Sequence, residues 1–299
     1  MSFDLITILG PTASGKTKIG IHLAADFNGE IISADSRQVY RGMDIGTGKD
    51  LNEFRENNIK YHLIDIANPN EEYNLFRFTK DFHRAFDLIR SRNKVPILVG
   101  GTGLYLSAIL QSYYLPAVDI NHNDNLSSLS FEELKTLLLE LKPHQHNVTD
   151  LASKERIIQA IQIERSRNNI KDNFPTLNSL TIGIKLSRDE IKRRITQRLK
   201  RRLEEGMIDE VNKLLSEGLS KDKLNFFGLE YKYVNQYIQG QINYNDMFQK
   251  LNSAIHSFAK RQMTWFRKME REGVKINWFS SDDYEGIKKF VKFSLNHAR

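Results

Sequence analysis

The residues from Phe3 to Leu9 are mainly apolar and β-prone, and the run stops at Gly10-Pro11. That pattern predicts a buried first strand followed by a loop. From Lys16 to Phe27 the apolar positions Ile19, Leu23 and Phe27 fall at helical spacing. Glu30–Ala34 reads as a second short strand and Tyr61–Ile66 as another. Leu75–Arg92 alternates apolar and charged residues at a period of about 3.6 and predicts a helix. Val95–Val99 is a continuous apolar strand ending at Gly100-Gly101, and a helix starts over Leu104–Leu110. Strands alternating with helices predict an α/β fold, a parallel sheet covered on both faces.

The period is lost over residues 111–130. Phe131–Leu141 and Ala152–Arg167 then read as helices around a loop at 143–150, and the polar stretch 168–178 reads as a linker. Leu180–Leu186 restores a strand. Long helices are expected over roughly 188–217, 227–239 and 244–271, then a strand at 275–279 and a helix at 284–296. The expected organisation is a core made of residues 1–110 and 178–299, with a small helical insertion at 111–177.

Composition narrows the function classes. The chain has 299 residues, 40% hydrophobic and 27% charged, enough for a large packed core. It has no apolar run long enough for a membrane span. The stretch after Met1 has no basic region before it, so it reads as a strand rather than a signal peptide, and a cytoplasmic location is expected. The absence of cysteine excludes disulfides, thiolate zinc sites and a cysteine nucleophile. A net charge of +7 raises the prospect of a polyanionic partner.

Gly10-Pro11-Thr12-Ala13-Ser14-Gly15-Lys16-Thr17 matches G-x-x-x-x-G-K-[ST], with a strand before it and a helix after it. This predicts a P-loop NTPase-like core. Glycines let backbone N–H groups turn inward around an anion, and the helix N-terminus adds positive charge. Lys16 is placed to neutralise phosphate oxygens, and the Thr17 hydroxyl to ligate Mg²⁺. A ligand-free glycine turn is the alternative. Asp35 follows the second strand, at the edge where open α/β sheets bind ligands. Its carboxylate suits metal binding or proton acceptance, or else the capping of the next segment. Ser36, Arg37 and Gln38 beside it are polar donors suited to a base edge.

Two basic stretches stand out. Residues 185–202 hold nine Lys or Arg against two acids, and spacings of four and three put Arg194, Arg198 and Arg201 on one helical face. That face either lines a cleft or is simply solvated. Lys260-Arg261-Gln262-Met263-Thr264-Trp265-Phe266-Arg267 mixes cations, an amide and aromatics, which suits phosphate contacts and stacking on unpaired bases. It also suits an amphipathic helix with Met263 and Phe266 turned inward.

The P-loop, the run from Asp35 to Lys49, Gly100-Gly101-Thr102-Gly103-Leu104-Tyr105, Glu204–Val211 and Ala259–Arg267 together resemble the tRNA dimethylallyltransferases. The resemblance implies that Gly10 to Thr17 bind the diphosphate of dimethylallyl diphosphate rather than ATP, with Mg²⁺ at Thr17. It implies an acceptor N6 on the adenosine beside the anticodon, in tRNAs reading codons that begin with U. Asp35 would be the general base, with Thr17 and Arg198 also catalytic through the diphosphate. The tRNA contacts it implies are Asp35, Ser36, Arg37, Gln38, Thr102, Arg156, Lys260, Arg261, Gln262, Thr264, Trp265 and Arg267. The insertion, shorter than usual in that family, would take the anticodon stem-loop, and the enzyme would be a monomer. Three other readings remain: a small-molecule kinase, an isopentenyltransferase acting on free adenylate, and an RNA-binding module without catalysis.

Overall fold

The structure, a computed structural model, describes residues 3–113, 125–141, 154–166 and 174–297, with some side chains of 154–166 outside the description. Six parallel strands form one sheet in the order β3-β2-β4-β1-β5-β6. They are β1 (Leu5–Leu9), β2 (Gly29–Ala34), β3 (Tyr61–His62), β4 (Val95–Gly100), β5 (Ser179–Lys185) and β6 (Asn277–Ser280). Because every strand runs the same way, all their C-terminal ends lie on one edge.

The two faces of the sheet explain the unbroken apolar runs of its central strands. On one face Ile6, Ile8, Ile31, Ile97 and Ile182 pack with Ile19 and Leu23 of α1 (Lys16–Asp26) and Ile287 and Val291 of α12 (Tyr284–His297). On the other, Leu5, Leu9, Ile32 and Leu98 pack with Phe78 and Phe82 of α3 (Leu75–Ser91). That second cluster continues into α4 (Gly103–Leu110), α7 (Arg188–Glu204), α8 (Met207–Ser216), α10 (Leu229–Ile238) and α11 (Tyr244–Arg271). Strands buried on both sides have no polar face to show.

The chain divides into two compact units, Met1–Ser112 with Thr176–Arg299, and Tyr113–Pro175. The second unit has its own small core, in which Leu134 and Leu138 of α5 (Phe131–Leu141) meet Ile157 and Ile161 of α6 (Lys154–Ser166). The expected loop at 143–150 and most of the expected linker lie outside the described residues.

Three expectations need correction. The strand expected over 61–66 ends at His62, because Leu63 and Asp65 take positive φ of 63° and 57°. The helix expected over 188–217 is two, α7 and α8, broken at Gly206 with φ 99°. That left-handed geometry suits glycine and re-aims the chain. Two short helices, α2 (Leu51–Glu56) and α9 (Lys221–Phe226), were not expected at all.

Candidate active site

Gly10 to Thr17 leave the end of β1 and enter α1. Ala13 and Gly15 both take positive φ, 62° and 84°, and the Ser14 N–H donates to the Pro11 carbonyl at 3.2 Å. The Lys16 Nζ donates to the same carbonyl at 3.3 Å. Ser14 Oγ is buried in the loop with no hydrogen-bond partner. Beside the loop is a cavity of about 320 Å³, lined by Gly15, Lys16, Thr17, Arg194, Arg198 and Arg201, with Asp50 and Glu53 on its acidic side.

The arginines reach the cavity because of how α7 is built. Ser187 caps the helix, its hydroxyl accepting from the Glu190 N–H at 3.2 Å. Ile195 and Leu199 are buried against the core, which leaves Arg194, Arg198 and Arg201 on the cavity wall. The face expected from spacing is therefore a cleft-lining one. Arg198 donates from Nη2 to the Thr12 hydroxyl, so α7 and the P-loop touch directly.

The electrostatics of the wall favour an anion. Burial brings the Lys16 ammonium down to about 8, with Asp35 opposing and Arg198 adding to the shift. Burial, with Arg202 nearby, brings Arg198 down to about 9 against the pull of Glu230 and Asp50. Two half-buried cations held close together gain from a bound phosphate.

Asp35 directly follows β2, which is separated from β1 by β4. Its Oδ1 accepts from the Arg37 N–H at 2.9 Å. The Ser36 N–H donates to Thr102 Oγ1 at 3.1 Å, which ties the exit of β2 to that of β4. Gln38 is held from both ends of its amide. Its Oε1 accepts from Ser33 Oγ at 3.0 Å and its Nε2 donates to the Gly48 carbonyl at 2.9 Å, so the amide is engaged inside the protein.

The block on α11 also divides. Lys260, Arg261, Thr264 and Arg267 are exposed. Gln262 is buried: its Oε1 accepts from the Thr12 N–H at 2.8 Å, and its Nε2 donates to the Gly101 carbonyl at 2.8 Å. The Thr12 N–H is thereby engaged by α11. Trp265 is a strut to α4: its Nε1 donates to Ser107 Oγ at 2.8 Å. A Cβ at Gly101 would come within 2.4 Å of the Gln262 amide, and one at Gly103 within 2.3 Å of the Trp265 ring. Only glycines at these two positions let α11 approach so closely. Arg156 lies in α6 with its side chain outside the described residues.

Sequence reasoning missed Glu210. Its carboxylate accepts from the N–H groups of Asp44 and Ile45 at 2.7 Å each, from that of Gly46 at 2.9 Å and from the Tyr231 hydroxyl at 2.8 Å. The loop it holds leads to Gly48, which anchors Gln38, and to Asp50 in the cavity. The signal was present as two motif blocks, one around Asp44 and one around Glu210, but nothing in either says that they meet.

Residues 38–269 match the family IPP transferase. The chain belongs to the IPP transferase family. Residues 3–66 also match the family Isopentenyl transferase. The tRNA dimethylallyltransferase 1 of Syntrophus aciditrophicus is 48% identical over 303 residues, covering 99% of both chains. The tRNA dimethylallyltransferase 2 of Citrifermentans bemidjiense is 52% identical over 277 residues, covering 92% of this chain and 90% of that one. Among solved structures, the tRNA isopentenylpyrophosphate transferase of Bacillus halodurans superposes with a TM-score of 0.73 at 32% identity, covering 98% of this chain and 96% of that one. A eukaryotic dimethylallyltransferase acting on tRNA, at 23% identity, shares the fold with a TM-score of 0.76, over 94% of this chain and 74% of that one. As an IPP transferase the chain is a prenyl-transferring enzyme, which sets aside the small-molecule kinase and the non-catalytic module. No helix among the described residues is long and apolar enough to cross a membrane.

Proposed function

We propose that the enzyme transfers a dimethylallyl group from dimethylallyl diphosphate to N6 of the adenosine beside the anticodon, in tRNAs reading codons that begin with U. It releases pyrophosphate. The observation that carries this reading is the cavity in which Lys16 and Arg198, both lowered by burial, face the P-loop, with Asp35 on the same sheet edge.

The chemistry follows from those groups. The bond from the allylic carbon to the diphosphate oxygen breaks, and negative charge builds on the leaving group. Lys16, Arg198 and the loop N–H groups stabilise that charge where it develops. The N6–carbon bond forms as the amine, held in line by the fold, attacks. Its proton passes to the Asp35 carboxylate. Thr17 and the cavity carboxylate Asp50 suit Mg²⁺, which needs only one or two protein oxygens when phosphates and water supply the rest. Mg²⁺ bound there would add positive charge to the diphosphate.

Lys260, Arg261, Thr264 and Arg267 form an exposed, basic surface for the RNA backbone, and residues 111–177 take the anticodon arm. The enzyme works as a monomer in the cytoplasm. Incubation with radiolabelled dimethylallyl diphosphate, Mg²⁺ and either unmodified tRNA or AMP tests the reading. Label in tRNA, lost in Asp35→Ala while tRNA binding persists, is expected. Label in AMP alone would move the assignment to a free-nucleotide prenyltransferase.

A further inference from the structure

We infer that Phe226 and Arg37 form a stacking platform for an unpaired base of the acceptor RNA, next to the nucleotide that is modified. The inference rests on the proposal that the acceptor is an RNA loop. Phe226 ends α9 and is 56% exposed. A single exposed apolar side chain is ordinary in itself. This one is distinguished by its seating. Its ring meets Phe227 edge-on at 5.6 Å, and Phe227 meets Tyr40 at 4.8 Å. Phe227 and Tyr40 are both buried, so the exposed ring stands at the end of an aromatic ladder rooted in the core.

The Arg37 guanidinium carbon lies 5.0 Å from the centre of the Phe226 ring. Among the described residues Arg37 has no carboxylate partner in an ion pair. Its own N–H is the one that Asp35 Oδ1 accepts, so the platform is attached to the segment that carries the proton acceptor. A guanidinium plane and a phenyl ring are both surfaces on which unpaired bases stack, and the cation also suits the neighbouring phosphate. A base displaced toward Asp35 leaves its neighbour in the loop unstacked. The phenyl–guanidinium pair supplies the surface which that neighbour loses.

The test uses the full chain and an anticodon stem-loop with 2-aminopurine at the nucleotide on either side of the acceptor adenosine. Binding to the unaltered protein is expected to quench one of the two probes. Phe226→Ala is expected to relieve the quench and raise KM for RNA roughly tenfold, a typical loss for one stacked base. KM for dimethylallyl diphosphate should stay unchanged, and Phe226→Trp should keep both the quench and the low KM. An unaltered protein that binds RNA with neither probe quenched, or a Phe226→Ala protein with unchanged quench and KM, overturns the platform alone. An unaltered protein that binds no RNA overturns the platform together with the proposed acceptor.

Discussion

Gln262 joins Thr12 to Gly101: a single side-chain amide on α11 accepts from the P-loop N–H and donates to the carbonyl beyond β4, both at 2.8 Å. Replacing it with leucine keeps the bulk and removes both bonds. Each backbone group left buried and unpaired costs about 1–3 kcal/mol. Gln262→Leu should therefore lower the urea midpoint of unfolding and weaken dimethylallyl diphosphate binding, measured without tRNA. An unchanged affinity would show that the cradle keeps its form without the clamp.

The lowered Lys16 ammonium makes donor binding depend on pH. Below its value of about 8 the group is charged in the free protein and meets the diphosphate directly. Above that value it must first take up a proton, so affinity falls by up to about tenfold per pH unit from this group. Titration calorimetry near pH 8.5, in buffers of different ionisation enthalpy, should show proton uptake on binding. Arg198 pushes the Lys16 value down, so Arg198→Ala should shift the break in the profile upward.

Arg198 also donates to Thr12, which ties its position to the loop. A lysine there keeps one charge but loses the planar fork that spans two oxygens. Arg198→Lys is expected to lower kcat for transfer by up to about a hundred- to a thousandfold, the size of effect seen when one donor to developing charge is lost. Single-turnover rates with saturating donor would measure it.

Glu210 gathers three backbone N–H groups and the Tyr231 hydroxyl, and Glu210→Ala leaves all four without their acceptor. The expected cost is at least about 2 kcal/mol in thermal unfolding. Because the loop it holds continues to Asp50, KM for the donor should rise more than KM for tRNA. Equal rises in both would argue against a local effect on the cavity.

At the opposite end of the sheet, burial pushes the Glu30 carboxyl up, but His62 and Arg92 outweigh it and hold the group below the ordinary value. A carboxyl lowered by folding stabilises the protein above its unfolded value, and that contribution is lost as the pH falls through the folded value. Glu30→Gln should flatten the loss of stability below about pH 4.5, read from urea midpoints across the acid range.

The central strands and the P-loop are legible in the sequence because strands buried on both faces are continuous apolar runs, and because the phosphate motif needs its strand and helix as neighbours. The short elements are not. α2 and α9 have six residues each, too few to show a period. The arginine face of α7 is legible because helical spacing is local. The inward turn of Gln262 and Trp265 is not, because it depends on Gly101 and Gly103, which are distant in sequence. A polar residue on an amphipathic helix looks the same whether it meets RNA or a backbone carbonyl.

The Gln262 clamp has a consequence for biosynthesis. A chain leaves the ribosome from its N-terminus, so Gly10 to Thr17 emerge early, but β5, the second neighbour of β1, is made much later and α11 later still. Until α11 is released, the loop lacks its tie to Gly101. A nascent or prematurely terminated chain thus carries the whole phosphate motif without a finished cradle. A finished cradle therefore waits for α11, the helix that locks the first loop.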